Sequence, residues 1–139
     1  MTELNLEQIT EKFFQKESRV ELLSSIETSQ GLRVELVSGN KRLKLIYYEK
    51  EGIVESYIEN NDSKREEGST TSLYSITNKF LQELSNEQER QIRYFFVTQH
   101  PNMEIWAKEN YLNVFGDPDE EYQDKLNRKV RVKKYIPHS

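Results

Sequence analysis

An alternation of apolar and polar side chains between residues 32 and 58 restricts the fold of this chain more than any other sequence feature. Its apolar members are Leu32, Val34, Leu36, Leu43, Leu45, Tyr47, Val54 and Ile58. A period of two predicts strands with one buried face. The interruptions at residues 38–41 and 51–52 are far shorter than a parallel crossover, so the strands are antiparallel. Residues 20–26 fit a further strand or a helix, and we therefore predict an antiparallel meander of three to four strands.

The N-terminal residues carry a helix start signal. Asn5, followed three residues later by Gln8, has the spacing of a capping box, in which each side chain bonds the other residue's backbone amide. Leu6, Ile9 and Phe13 then share one face at helical spacing. We therefore predict an N-terminal helix that extends to about residue 15.

The C-terminal half is predicted to be a series of helices. Residues 73–84 repeat apolar side chains at the 3.6-residue period of a helix. Further helix starts are indicated by Ser85 with Gln88, Met103 with Trp106, and Asp117 with Pro118. Residues 94–97 also suit a strand, but residues 87–93 lack β-forming character, so we favour a helix there. Residues 60–71 have no apolar side chain and are predicted to form a polar loop.

Together these elements predict one α+β domain over residues 1–139. It consists of an N-terminal helix, an antiparallel meander of three to four strands, and three to four helices packed on the sheet. A length of 139 residues is typical of a single domain, and 35% hydrophobic with 11% aromatic residues supply one core. Residues 130–139 are expected to be a basic tail or an added edge strand.

Residues that the chain lacks disfavour several kinds of chemistry. It has no cysteine and two histidines, His100 and His138, far apart in sequence, so we expect no metal site. Its five glycines form no phosphate-binding motif, so we expect no cofactor. The acidic run from Asp117 alternates as in a calcium loop, but Tyr122 and Arg128 occupy the positions of the required glycine and glutamate. Since no catalytic signature is present, we favour a binding protein over an enzyme.

The outer face of the meander is the first candidate functional surface. Tyr47 and Tyr48 are adjacent in a predicted strand, so their rings point to opposite faces. With Tyr47 in the core, Tyr48 and Ile46 lie outside, and Tyr57 of the next strand joins them. An apolar outer face indicates a partner protein, a dimer contact or cover by the chain's own helices. We take Ile46, Tyr48 and Tyr57 as candidate protein-binding residues.

A basic stretch is the second candidate surface. Residues 125–134 contain no acid, and their cations are Lys125, Arg128, Lys129, Arg131, Lys133 and Lys134. Cations beside an aromatic residue, here Tyr135, are typical of phosphate-backbone contacts. Two structural roles are the alternative, namely helical ion pairs with the acids at 121 and 124, and lysines that protect an edge strand. We keep these six residues as candidate nucleic-acid contacts, although a net charge of −4 disfavours a protein that coats nucleic acid.

The function that we favour is a small non-catalytic adaptor or regulator that binds through the sheet face. Its partner is either a different protein or a second copy of this chain in a homodimer. The alternatives are nucleic-acid contact through residues 125–134, and small-molecule binding in a pocket between sheet and helices that Trp106 lines. The absence of cysteine and of a signal or anchor segment leads us to expect a cytoplasmic location without a membrane partner.

Overall fold

A mixed sheet of seven strands forms the centre of the protein in a computed structural model that describes residues 5–60, 69–98 and 107–138. The strands are β1 (Glu21–Glu27), β2 (Gly31–Ser38), β3 (Lys41–Tyr48), β4 (Ile53–Asn60), β5 (Ile92–Thr98), β6 (Glu120–Gln123) and β7 (Lys129–Tyr135). The helices are α1 (Leu6–Phe14), α2 (Ser69–Gln88) and α3 (Leu112–Phe115), the last preceded by a π-helical turn, Ala107–Tyr111. The strand order is β1-β2-β3-β4-β5-β7-β6.

Strands β1 to β4 form a four-stranded antiparallel meander. Val34 pairs with Leu45 and Leu36 pairs with Leu43, so the apolar members of the sequence alternation meet on one face. The segment that fitted either helix or strand is β1, whose Leu22 pairs with Leu36 on that same face. We call this buried face of the sheet, which α1 and α2 cover, the inner face, and the opposite face the outer face.

The N-terminal helix α1 begins with the expected capping box. The Gln8 amide donates to Asn5 Oδ1 at 2.8 Å, and the Asn5 amide donates to Gln8 Oε1 at 2.9 Å, so two backbone donors that the helix leaves free are satisfied. Leu6, Ile9 and Phe14 are buried. The Phe14 ring packs against Phe80 of α2 with the ring centroids 5.2 Å apart. Helices α1 and α2 therefore share one hydrophobic core with the inner face.

Helix α2 connects β4 to β5, which lie side by side in parallel. The other strand pairs are antiparallel, so the sheet is mixed but mostly antiparallel. Parallel neighbours need a long crossover, and the 20 residues of α2 provide it. Its apolar stripe is fully buried and consists of Leu73, Ile76, Phe80, Leu81 and Leu84. The 3.6-residue period that predicted this helix thus follows its contact with the inner face.

The prediction of three to four helices packed on the sheet is wrong, because much of the C-terminal half is strand. Residues 92–98, which we favoured as helix, form β5. Tyr94 and Phe96 of β5 lie in the inner core, while Phe95 and Val97 point to the outer face, where Phe95 pairs with Val132. A strand that is apolar on both faces shows no alternation in its sequence.

Two of the predicted helix starts are also wrong. Ser85 lies inside α2 and is buried, with its hydroxyl 2.7 Å from the Arg90 carbonyl and 3.0 Å from the Tyr135 carbonyl. Asp117 and Pro118 are followed by strand β6 rather than by a helix. The predicted start at Met103 and Trp106 lies outside the described residues, and the described helical residues there begin at Ala107.

The last strand, β7, is an interior strand. It pairs with β5 on one side and β6 on the other, so residues 130–135 are neither a tail nor an edge strand. Of the polar loop predicted at 60–71, Asn60 belongs to β4 and residues 69–71 belong to α2, while residues 61–68 lie outside the described part. Among the described residues, no helix combines the length and the apolar character needed to cross a bilayer.

Candidate functional site

The described helices pack on the inner face of the sheet. Besides α1 and α2, the segment 107–115 packs there, since the Phe115 ring lies 5.8 Å from Tyr74 and the Tyr111 ring 5.5 Å from Phe96. No described helix packs on the outer face of β1 to β4. This part of the outer face is called the open face below. Its larger apolar side chains are Ile26, Ile46, Tyr48, Ile53 and Tyr57.

The three predicted protein-binding residues lie together on the open face. In the strand register Ile46 pairs with Glu55, Tyr48 with Ile53, and Lys44 with Tyr57, which places all of them on one side of the sheet. Ile46 and Tyr48 are half-buried, whereas Tyr57 is 48% exposed. Since the period of two is strict in β3 and β4, the sequence alone was sufficient to predict that these residues lie on one face.

A row of alternating apolar and charged side chains crosses the open face. Ile26, Arg33, Ile46 and Glu55 are consecutive cross-strand neighbours from β1 to β4, and Phe95 of β5 continues the row. Cross-strand neighbours have their Cβ atoms only about 5 Å apart, so the row is a nearly continuous surface. Ile26, at its edge, is 53% exposed. The open face is therefore amphipathic across the strands as well as along them.

Three charged side chains of the open face form ion pairs across strands. Lys44 Nζ lies 3.8 Å from Glu35 and 3.5 Å from Glu59, which joins three strands. The Tyr57 hydroxyl donates to Glu55 Oε2 at 2.6 Å, and this bond is the main reason that the pKa of Tyr57 is raised to about 12. Exposed ion pairs add little to stability, but they fix a charge pattern that a partner has to match.

On β5, β7 and β6, the outer face is covered by side chains of these same strands. Val130 and Val132 of β7 are buried although they point away from the inner core. The rings of Phe95 on one side and Tyr122 on the other meet over them, with centroids 6.3 Å apart. Arg93, at the border, lies over the Phe95 ring. This small second core leaves the open face of β1 to β4 as the unoccupied part of the sheet among the described residues.

An ion-pair cluster borders the second core. Glu120 Oε2 lies 2.5 Å from Arg93 and Glu120 Oε1 lies 3.1 Å from Lys134. Hydrogen bonds from Lys134 and then Arg93 hold the pKa of the Glu120 carboxyl below its usual value. These contacts tie β5, β7 and β6 together on their outer side.

The six predicted nucleic-acid contacts do not form one cationic surface. Lys125 is exposed in the β6–β7 turn, and Arg128 beside it makes a 2.6 Å ion pair with Asp124. Along β7 the side chains alternate, so Arg131 and Lys133 lie on the inner side while Lys134 lies on the outer side. Lys129 shares the inner side, since it pairs with Thr98 in the same register.

Acids of the β6 region pair with several of these cations. Lys133 Nζ lies 3.9 Å from Asp119, and Lys134 Nζ lies 3.1 Å from Glu120. Arg131 is 8% exposed, with its guanidinium 5.9 Å from the Tyr111 ring centre and 3.9 Å from Glu121. A cation buried in this way contributes to the core and is not available to a polyanion.

Two grooves were missed by the sequence analysis, because each joins segments that are distant in sequence. One, of about 610 Å³, lies where the β1–β2 turn, the β3–β4 turn and the N-terminus of α1 meet, and includes Gln30, Lys50 and Arg90. The other, of about 570 Å³, lies between α1 and the start of β1, and Phe14 and Leu22 line it. Trp106, which we expected to line a pocket, lies outside the described residues.

Two observations bear on catalysis and metal binding. The raised pKa of Tyr57 keeps its phenol protonated at neutral pH. No group of three or more acidic or histidine side chains within residues 5–60, 69–98 and 107–138 is arranged to hold a metal ion.

No protein-family model, curated protein or solved structure matches this chain.

Proposed function

We propose that this protein is a small adaptor or regulator that binds another protein through the open face. The partner is a different protein or a second copy of this chain. The observation that carries the proposal is the position of Ile46, Tyr48 and Tyr57 on a sheet face that no described helix covers. We place this function in the cytoplasm because the chain has no cysteine.

The composition of the open face suits protein recognition. Tyrosine supplies a large contact area with few rotatable bonds, so its burial at an interface costs little conformational entropy. Isoleucines beside it add apolar area, and the ion-paired Lys44 and the hydrogen-bonded Glu55 supply a polar surround. Strands hold these side chains more rigidly than loops do, which reduces the entropy cost of association.

Nucleic-acid contact through residues 125–134 has less support. Arg131 is buried, and Arg128, Lys133 and Lys134 have carboxylates within ion-pair distance. Release of counterions drives binding to a phosphate backbone, and cations already paired with protein acids contribute less to it. We therefore favour the open face over the basic stretch.

Substitution on the open face tests the proposal. Tyr48→Glu places a charge among the apolar side chains, and Tyr57→Gln removes an exposed ring. Leu112→Gln is the matched control, because Leu112 on α3 is 48% exposed, as Tyr57 is. Light scattering over a range of concentrations measures the mass, which rises from 16.6 kDa towards twice that value if the partner is a second copy. Tyr48→Glu and Tyr57→Gln are expected to prevent the rise, and Leu112→Gln to retain it.

A constant mass would indicate a different protein as partner. Binding domains selected against the wild-type chain from a displayed library then replace the second copy as the probe. We expect most of these binders to lose affinity for the Tyr48→Glu variant and to bind the Leu112→Gln variant as tightly as the wild type. The reason is that a rigid apolar surface is the favoured epitope. Equal affinity of the binders for the two variants would contradict the proposal. Circular dichroism of each variant confirms that it is folded.

A further inference from the structure

The edge strand β1 is open along one side. It pairs with β2 and with no other strand among the described residues, so its outward backbone groups lack a strand partner. At the end of the strand the Glu27 amide donates to Glu7 Oε1 of α1 at 2.7 Å, so the open part of the edge lies before Glu27. Residues 21–27 contain no lysine and no proline, the residues that usually protect such an edge. Leu23 and Ile26 on this strand are 41% and 53% exposed. The opposite edge, β6, is four residues long and begins with Glu120 and Glu121.

A groove with an apolar floor runs beside the start of β1. It has a volume of about 570 Å³ and lies between α1, residues 17–20 and the first residues of β1. Phe14 and Val20 are buried in its floor with Leu22 half-buried beside them. Because Leu22 points to the inner side of the sheet, a strand added to β1 would place every second side chain over this groove.

The rim of the groove is acidic. Glu11, Glu17 and Glu21 line it, and none of the three carboxylates makes an ion pair with a described residue. Arg19 is the one cation between Glu17 and Glu21 in the chain, and it is exposed. Three unpaired carboxylates around an apolar floor are complementary to a segment that combines basic and apolar side chains.

A second copy of the chain is a poor occupant for this edge. Antiparallel pairing of two β1 strands about their central residue, Ser24, would set Glu21 of each copy opposite Glu27 of the other. Like charges directly opposite one another destabilise strand pairs. The β-bulge between Leu22 and Ser24 further limits a long and regular sheet extension, and so favours a short segment.

We propose that the β1 edge and the acidic groove bind a short extended segment of a partner protein, in which basic and apolar side chains alternate, by strand addition. The β1 backbone supplies the hydrogen bonds, the Phe14 and Leu22 floor takes the apolar side chains, and the glutamates take the basic ones. This site adjoins the open face at β1, but its groove lies on the inner side of the sheet and does not include Tyr48 or Tyr57.

Fluorescence anisotropy with a labelled synthetic peptide tests the proposal on the full chain. The probe alternates lysine and valine, and its termini are blocked. We expect saturable binding that weakens as salt is added, and no binding of a peptide that alternates glutamate and valine. A lysine–valine peptide with N-methylated backbone nitrogens keeps its charge but cannot donate to a strand, so we expect it to lose most of the affinity.

Charge reversal locates the peptide. The double variant Glu17→Lys and Glu21→Lys is expected to weaken binding about tenfold at low salt, because two exposed charge contacts become repulsive. Glu51→Lys with Glu89→Lys is the matched control, because both glutamates are exposed and line none of the grooves described, and it is expected to bind as the wild type does. Equal binding by the groove variant and the wild type, or by the N-methylated and unmodified peptides, would overturn the inference.

The Tyr48→Glu variant separates this site from the open face. Peptide binding that survives Tyr48→Glu and is lost in the groove variant supports the edge site. Loss in Tyr48→Glu alone would overturn the edge site and leave the proposed function of the open face standing. Failure of the open-face test, with the peptide still bound at the groove, would refute the proposed function and leave the edge site in place.

Discussion

Gly31 shows how a single backbone position fixes the start of the sheet. It ends the turn between β1 and β2, where its amide donates to the Thr28 carbonyl at 3.2 Å. Its φ is +154°, and a Cβ at this position would lie 2.1 Å from the Tyr47 carbonyl oxygen of β3. Backbone of the adjacent strand therefore occupies the space of a side chain, and only glycine fits.

Gly31→Ala is expected to destabilise the protein by about 2 to 3 kcal/mol, because the new methyl group forces β2 away from β3. Gly39→Ala is the matched control, since Gly39 also has a positive φ, +60°, but meets no neighbouring atom. We expect it to cost about 1 kcal/mol. Urea unfolding followed by circular dichroism measures both, and equal costs would refute the role assigned to the close approach at Gly31.

Residue-level features were predictable where a local pattern determines them. The capping box at Asn5 and the outward position of Tyr48 follow from spacings of three residues and of two. The burial of Arg131 follows from no local pattern, because it depends on β7 lying between β5 and β6 and on Tyr111 packing against it. A charged residue in a basic stretch gives no sign of this in the sequence.

At the scale of elements, Ser85 connects three parts of the C-terminal half. Its hydroxyl lies within hydrogen-bond distance of the carbonyl of Arg90, just before β5, and of Tyr135, at the end of β7. The residue is fully buried, so loss of the hydroxyl removes a hydrogen bond from the protein interior. Ser85 therefore fixes the end of α2 against two strands.

Ser85→Ala is expected to lower the free energy of unfolding by about 1 to 2 kcal/mol. Ser72→Ala, the same change on the same helix at a half-buried position, is expected to alter it by less than about 0.5 kcal/mol. Chemical denaturation of both variants provides the comparison. A stability of Ser85→Ala equal to that of Ser72→Ala would show that the hydroxyl contacts contribute nothing.

Helices and strands that bury only one side were predicted correctly, whereas a strand buried on both sides was not. The meander and α2 each bury one side, and both were predicted from the periods of their buried residues. Strand β5 is apolar on both sides, because Phe95 contributes to the second core, and it was mistaken for a helix. Asp117 and Pro118 begin a turn as readily as a helix, and only the pairing of β6 with β7 decides between them.

At the scale of the whole molecule, tyrosines divide between the core and the surface. Five of the eight, Tyr47, Tyr74, Tyr94, Tyr111 and Tyr135, are at most 4% exposed. Burial raises the pKa of each of these phenols above its ordinary value. A folded-state pKa above the unfolded one stabilises the protein at pH values below the unfolded pKa, and this stabilisation is lost as the pH rises towards the folded one.

Alkaline titration is therefore expected to show two classes of tyrosine. Tyr57 ionises reversibly in the folded protein with a pKa of about 12, because it is exposed and its shift comes first from the bond to Glu55. The five buried phenols ionise together with global unfolding. Phenolate absorbance and far-ultraviolet circular dichroism, recorded on the same samples, measure this. Ionisation of all eight near pH 10 without loss of circular dichroism would contradict it, and guanidinium-unfolded protein provides the reference.

The parallel junction between β4 and β5 depends on the crossover through α2, so we expect it to form after the meander during synthesis. It has three register pairs, whereas β2 and β3 share eight. The meander closes through neighbouring hairpins, but β5 can dock only after α2 has left the ribosome and crossed the sheet. Until then Leu43 and Leu45 lack the cover that α2 gives them, so we expect a nascent chain stalled before α2 to be bound by chaperones.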